Sequence, residues 1–118
     1  MGNRGVNPRR ALDYLLRWSN DADDETRHWA VEGIAMLGTD DSITPLLHIF
    51  HDDPSPFIRE RAACGLALHG MLTRRQRLTA VPELARFKDD PSLDDKTREW
   101  VVRALSDITR EWPGENPR

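Results

Sequence analysis

An all-α fold, an array of three stacked antiparallel helix pairs, follows from three features of this sequence. Residues 58–70 have close relatives on both sides, at 26–38, which precede them by 32 positions, and at 97–109, which follow by 39. Each copy opens on a residue before an Arg (Arg27, Arg59, Arg98). Small or branched apolar residues then follow at helical spacing, with Ile34, Leu66 and Leu105 in one register. No alternating strand pattern interrupts the copies, and strand-free self-similarity at a period of roughly 30 to 40 residues is the mark of a stacked helical array.

The elements follow in chain order. Residues 1–6 are Gly-rich and polar and are expected to form a flexible N-terminus. Asn7 can cap a first helix that opens on Pro8, where the missing N–H is tolerated. Ala11, Leu12, Leu15, Leu16 and Trp18 form its apolar stripe. Carboxylates in the turn at 19–24 suit the N-terminus of a second helix, expected from Asp24 to Leu37 and ended by Gly38 as a left-handed cap. After a capping turn at 39–42, Ile43, Leu46, Leu47, Ile49 and Phe50 mark the third helix, with Pro45 placed in its first turn. The prolines Pro54 and Pro56 break the chain before a fourth helix over about 55–70, in which Gly65 is either a weak point or a place of close helix approach.

Residues 71–88 make the third unit longer. Thr73 can cap its first helix, and Pro82 predicts a kinked helix or two short ones. Residues 89–92 repeat the Asp-Asp-Pro-Ser of 52–55, and a last helix over 95–111 carries Trp100, Val101, Ala104, Leu105 and Ile108 on its buried side. Residues 112–118, with two prolines and a glycine, are expected to be a disordered tail. The reading is therefore a single domain over 7–111, with repeats at 7–38, 39–71 and 72–111.

Bulk composition narrows the function. A chain of 118 residues with 38% hydrophobic and 31% charged residues can build one folded domain, which excludes disorder throughout. A net charge of -3 argues against a broad phosphate-binding footprint. The lone Cys64 cannot form an internal disulfide and fits a reducing compartment. There is no apolar run of about 20 residues, and the start lacks the apolar core of a signal peptide, so a cytoplasmic protein is expected.

The turns carry a second pattern, an Asp with an Arg six positions later. Asp21 with Arg27 and Asp53 with Arg59 show it; in the third unit Ser92 stands six before Arg98, and Asp89 and Asp90 are displaced by two extra residues, leaving Asp94 or Asp95 to substitute. Over about residues 8–110 this resembles the HEAT repeat. The resemblance implies a right-handed α-solenoid whose second helices line a concave surface and whose three units stabilise one another. It also implies a small scaffold or adaptor that binds another protein or peptide. Asp21, Arg27, Asp53, Arg59 and Arg98 then read as a structural ladder, in which a turn Asp caps its own second helix and accepts from the Arg of the neighbouring repeat.

Aligning the copies places Trp29, Arg61 and Trp100 in one row, Glu32, Cys64 and Arg103 in a second, and His28, Glu60 and Glu99 in a third. Trp and Arg are the residues that most often anchor interfaces, so Trp29, Arg61, Trp100, Glu32, Cys64, Arg103 and His28 are the candidate partner surface. The competing reading packs both tryptophans into the array and leaves the charges solvated. Self-association stays open, although Arg9, Arg10, Asp13 and Arg17 on the first helix, and Arg103, Asp107 and Arg110 on the last, suit polar caps.

Other chemistry is disfavoured. His48, His51 and Asp52 cluster on an outer helix with no obvious partner on a second helix, so no metal is assigned. The di-iron hydroxylases of HEAT-like fold carry His-Glu pairs on successive second helices, whereas this chain has none, and no cofactor is expected. Cys64 follows two alanines with no base in sight and reads as a packing residue, so no catalytic constellation is found. Arg74, Arg75 and Arg77, with Arg86 and Lys88, lack interleaved aromatics and read as a solvated helix start. The resemblance leaves two alternatives: a likeness to the short HEAT-type bilin lyase subunits, and nucleic-acid binding like that of HEAT-like alkylbase glycosylases, which the net charge ranks last.

Overall fold

A computed structural model describes residues 8–67 and 72–111. They form six helices, α1 (Pro8–Trp18), α2 (Asp24–Leu37), α3 (Asp40–Asp52), α4 (Pro56–Ala67), α5 (Arg74–Lys88) and α6 (Asp95–Glu111), with no strand among the described residues. The expectations for residues 1–6, for the Asn7 cap, for a helix end at Gly70 and for the tail at 112–118 lie outside the described residues.

Local chemistry sets the helix ends. Asp23, in extended backbone, accepts from the Thr26 N–H and starts α2, and Gly38 ends it at φ 61°. Thr73 and Gln76 form a reciprocal capping box at α5, satisfying two amides that the helix itself leaves without partners. The Asp94 carboxylate accepts from the Thr97 N–H at 2.7 Å to start α6.

Three details refine or correct the sequence reading. α3 begins at Asp40, so Pro45 is its sixth residue and lies in the second turn; the Asp41 carbonyl forgoes its usual N–H partner there. α5 is one helix of 15 residues through Pro82, the longer first helix expected of the third unit and not the two short helices that the proline also allowed. Ala80 and Val81 before the proline and Leu84 after it are all buried, so packing on both sides holds the helix together despite one lost hydrogen bond. Trp18 does not join the buried stripe of α1: it is 52% exposed and stands beside Tyr14 on the outer face.

Packing is of an all-helical solenoid. α1 packs on α2, α3 on α4 and α5 on α6, while α2, α4 and α6 touch in series and α3 touches α5. One repeat position on the second helices, held by Ala30, Ala62 and Val101, is fully buried in all three units. Larger side chains fill the space behind them, including Ile34, Leu46, Phe50, Leu66 and Leu84. Each such side chain contributes roughly 1.5–3 kcal/mol on burial. Buried Gln76 adds a polar tie at one end of the stack, donating to the Gly38 carbonyl at 2.9 Å and to Asp40 at 3.1 Å.

Close approach explains the two interior glycines, Gly33 and Gly65, which occupy one repeat position. A Cβ on Gly65 would lie 2.8 Å from the Cβ of Ala35 on α2, and a Cβ on Gly33 would lie 2.8 Å from Cδ2 of Leu15 on α1. Leu15 can rotate away; Ala35 has no side-chain torsion with which to do so. Gly65→Ala is therefore expected to lower stability by about 1–3 kcal/mol. Gly33→Ala should be near neutral or stabilising, because it also removes a helix-propensity cost of about 1 kcal/mol. Urea unfolding of both variants checks this, and equal losses at the two sites would contradict it.

Candidate functional site

The Asp and Arg side chains meet along one edge of the stack. Arg27, 8% exposed, donates through Nε to Asp53 Oδ2 at 3.0 Å, through Nη1 to the carbonyls of Asp21 and Ala22, and through Nη2 to Asp24 Oδ1 at 2.6 Å and Asp53 Oδ1 at 3.4 Å. All five N–H groups of the guanidinium thus have acceptors. The Asp53 hydrogen bond raises the Arg27 pKa above its ordinary value against the opposing effect of burial. Arg59 repeats the gesture one unit on, donating to the Asp53 carbonyl at 2.6 Å, Asp94 Oδ2 at 3.1 Å and Thr97 Oγ1 at 3.2 Å. Arg98 gathers the last turn, reaching the carbonyls of Asp90 and Leu93 and the Asp95 carboxylate.

Asp94 does what the ladder reading expects, capping α6 through the Thr97 N–H and accepting from Arg59, whereas Asp21, Asp53 and Asp90 do not cap their second helices themselves. Asp21, Asp53 and Asp90 each accept from the backbone N–H two residues on, at Asp23, Ser55 and Ser92, so the capping residue lies further along. The two extra residues of the third turn then divide the work. Asp94 accepts from Arg59, and Asp90 is left for His51.

His51 stands between two carboxylates, its Nδ1 2.6 Å from Asp52 Oδ1 and its Nε2 2.7 Å from Asp90 Oδ2, with the Phe87 ring at 4.7 Å. Facing acceptors on both sides, the ring has to donate twice, which only the imidazolium can do. Burial works to depress its pKa, but the hydrogen bonds to Asp52 and Asp90 outweigh burial and raise it above the ordinary 6.5. The same bond to His51, helped by the Ser92 hydroxyl and N–H, holds Asp90 at about 2. Sequence spacing finds His48, His51 and Asp52 but not Asp90, which arrives from a loop 39 residues away. Among the described residues, no group of three or more His, Cys, Asp and Glu side chains is arranged to hold a metal ion.

The candidate partner surface lies on α2, α4 and α6, with α4 in the middle. Trp29 is 64% exposed, Glu32, Cys64 and His28 are half-buried, and Arg103 is exposed. Trp100 is half-buried and packs against the core, so the two tryptophans of the row differ in role. Phe57, which the sequence does not single out, is 52% exposed and joins them: the His28 ring lies 5.0 Å from it and the Arg61 guanidinium 5.7 Å. Lys96 and Trp100 occupy the equivalent positions on α6 as a cation–π pair at 6.0 Å, with the cation and the ring exchanged. Arg61 Nη1 lies 3.9 Å from Glu32 Oε2 and its Nη2 lies 3.7 Å from Cys64 Sγ. The same Glu32 oxygen is 3.5 Å from His28 Nε2.

Two further features compete less well as sites. A cleft of about 590 Å³ opens beside the ladder, lined in part by Asn20, Asp21, Arg27, His48 and Asp53, but its buried charges, Arg27 and Asp53, are already paired with each other. The basic run on α5 is not one solvated face, because Arg77 is buried and donates to the Leu72 carbonyl at 2.7 Å. No helix among the described residues is long and apolar enough to cross a membrane.

A family model described as HEAT repeats matches residues 1–67. No curated protein and no solved structure matches the chain.

The His51 clasp makes stability depend on pH. A raised histidine pKa contributes stability that is complete below the ordinary value of 6.5 and is lost as pH rises through the folded value. A lowered Asp90 pKa contributes stability present above 3.8 and lost as pH falls through about 2. The pair therefore helps most in the weakly acidic window between 3.8 and 6.5. His51→Gln should cost more stability near about pH 5.5 than near about pH 8.5. Thermal unfolding of wild type and variant at both values measures the difference, and a gap that does not change with pH would contradict it.

Proposed function

The chain belongs to the HEAT-repeat family, and from that premise we propose that it is a small scaffold or adaptor module that binds another protein or peptide across α2, α4 and α6. HEAT repeats generally mediate protein–protein interaction and are typically not enzymes. The observation that carries the placement is the grouping of exposed Trp29 and Phe57 with Arg61 at the centre of the three second helices. Large exposed rings beside a guanidinium provide the buried contact area and directional hydrogen bonds that binding hot spots use. The ladder Asp21, Arg27, Asp53, Arg59 and Arg98 is proposed to hold these helices in register and not to touch the partner.

Affinity capture from lysate tests this with a triple variant, Trp29→Ala, Phe57→Ala and Arg61→Gln. Trp100 is left in place because it packs on the core. The triple variant should keep its helical circular dichroism and lose the partners that wild type retains, by about tenfold or more. A control variant on the outer face of α1, Tyr14→Ala with Trp18→Ala, should retain them. Loss on the control and retention on the triple variant would move the site to α1.

A further inference from the structure

Arg61 is satisfied differently from its neighbours on the second helices. Arg27, Arg59 and Arg98 each donate to a carboxylate, at 2.6, 3.1 and 3.2 Å respectively, and to at least one turn carbonyl. The Nε of Arg61 is buried and has no acceptor, and its terminal nitrogens have only a thiol at 3.7 Å and a carboxylate at 3.9 Å. About a third of the side chain, 35%, is still exposed. The guanidinium is thus already stripped of part of its water, braced against the Phe57 ring and short of hydrogen bonds. A carboxylate arriving at its terminal nitrogens would gain strong charge-assisted bonds while little further hydration is lost.

Of the two acids that act on Arg61, Glu32 and its helix neighbour Glu60, Glu32 is placed to give way. Glu32 lies between Arg61 and His28, and His28 Nε2 is likewise buried without a hydrogen-bond acceptor. When an incoming carboxylate takes Arg61, Glu32 can turn fully to His28. On the solvent side, Trp29 and Phe57 offer exposed rings to an apolar group carried beside that carboxylate.

Resting on the binding role above, we propose that the occupant of this surface is a peptide segment with an Asp or Glu within one helical turn of a large apolar side chain. The carboxylate meets Nη1 and Nη2 of Arg61, and the apolar side chain packs on Trp29 and Phe57.

Selection of a random peptide library on the immobilised full chain tests the inference. Retained peptides should be enriched in an Asp or Glu near a Leu, Phe or Trp. Changing that acid to Asn or Gln in the peptide, which leaves the protein untouched, should weaken binding about tenfold or more by fluorescence polarisation. Arg61→Glu should reject these peptides and select ones bearing Lys or Arg in their place. Peptides without acidic enrichment that are lost on Trp29→Ala would overturn the inference and leave the binding role standing. No retained peptide, or peptides held equally by Trp29→Ala with Phe57→Ala, would overturn both. A wild-type dimer in sedimentation that Trp29→Ala dissociates would show that a second copy is the occupant, which also overturns the inference.

Discussion

Arg27 carries a positive charge into the interface between the first two helix pairs, and its surroundings are arranged to satisfy it. Its side chain is 9% exposed and that of its partner Asp53 is 5% exposed, so removing either from water is costly. The cost is offset only because every N–H of the guanidinium meets an oxygen, three from the two turn carbonyls and Asp24 within its own unit and two from Asp53 in the next. Such geometry tolerates one register between α2 and the turn that precedes α4. Arg59 imposes the same condition on the next interface through Asp94 and Thr97. At the opposite end of the helices, Gln76 ties the start of α5 to the end of α2 and the start of α3. Between these polar ties the core packs large apolar side chains, with glycines at two places of close helix approach.

Much of this is written locally in the sequence. Helix ends follow from caps that operate within three or four residues, such as Asp23 with Thr26 and Thr73 with Gln76, and α2 and α6 span the residues that those signals mark. The Asp–Arg spacing is legible too, since the turn and the helix start are rigid over six residues. What is not legible depends on distances through space. The two extra residues before α6 reassign Asp90 to His51 and Asp94 to Arg59, an exchange that no linear spacing encodes. Likewise Pro82 signals a break, but burial of Ala80, Val81 and Leu84 on both sides keeps α5 whole.

The candidate surface is legible in the sequence as aligned rows, but the exposure of each residue in them is not. Alignment of the copies finds Trp29, Arg61 and Trp100, yet it cannot show that Trp29 is exposed while Trp100 leans on the core. Phe57 escapes it because its row holds Glu25 and Lys96, with no common chemistry. Its spacing of four residues from Arg61 was the available signal, since side chains so spaced share a helix face. The two kinds of arginine differ in how they are satisfied: every N–H of Arg27 has an acceptor within the stack, whereas Arg61 has a buried Nε without a partner and a side chain about a third, 35%, exposed.

A double-mutant cycle on the buried pair tests most directly whether the stack rests on it. Arg27→Leu, Asp53→Ala and the double variant are unfolded in urea beside the same cycle on the exposed Arg9–Asp41 pair. A coupling of about 2 kcal/mol or more is expected for Arg27 and Asp53, against about 0.2–1 kcal/mol for the surface pair. A coupling no larger than that of Arg9 and Asp41 would contradict a register set by the ladder.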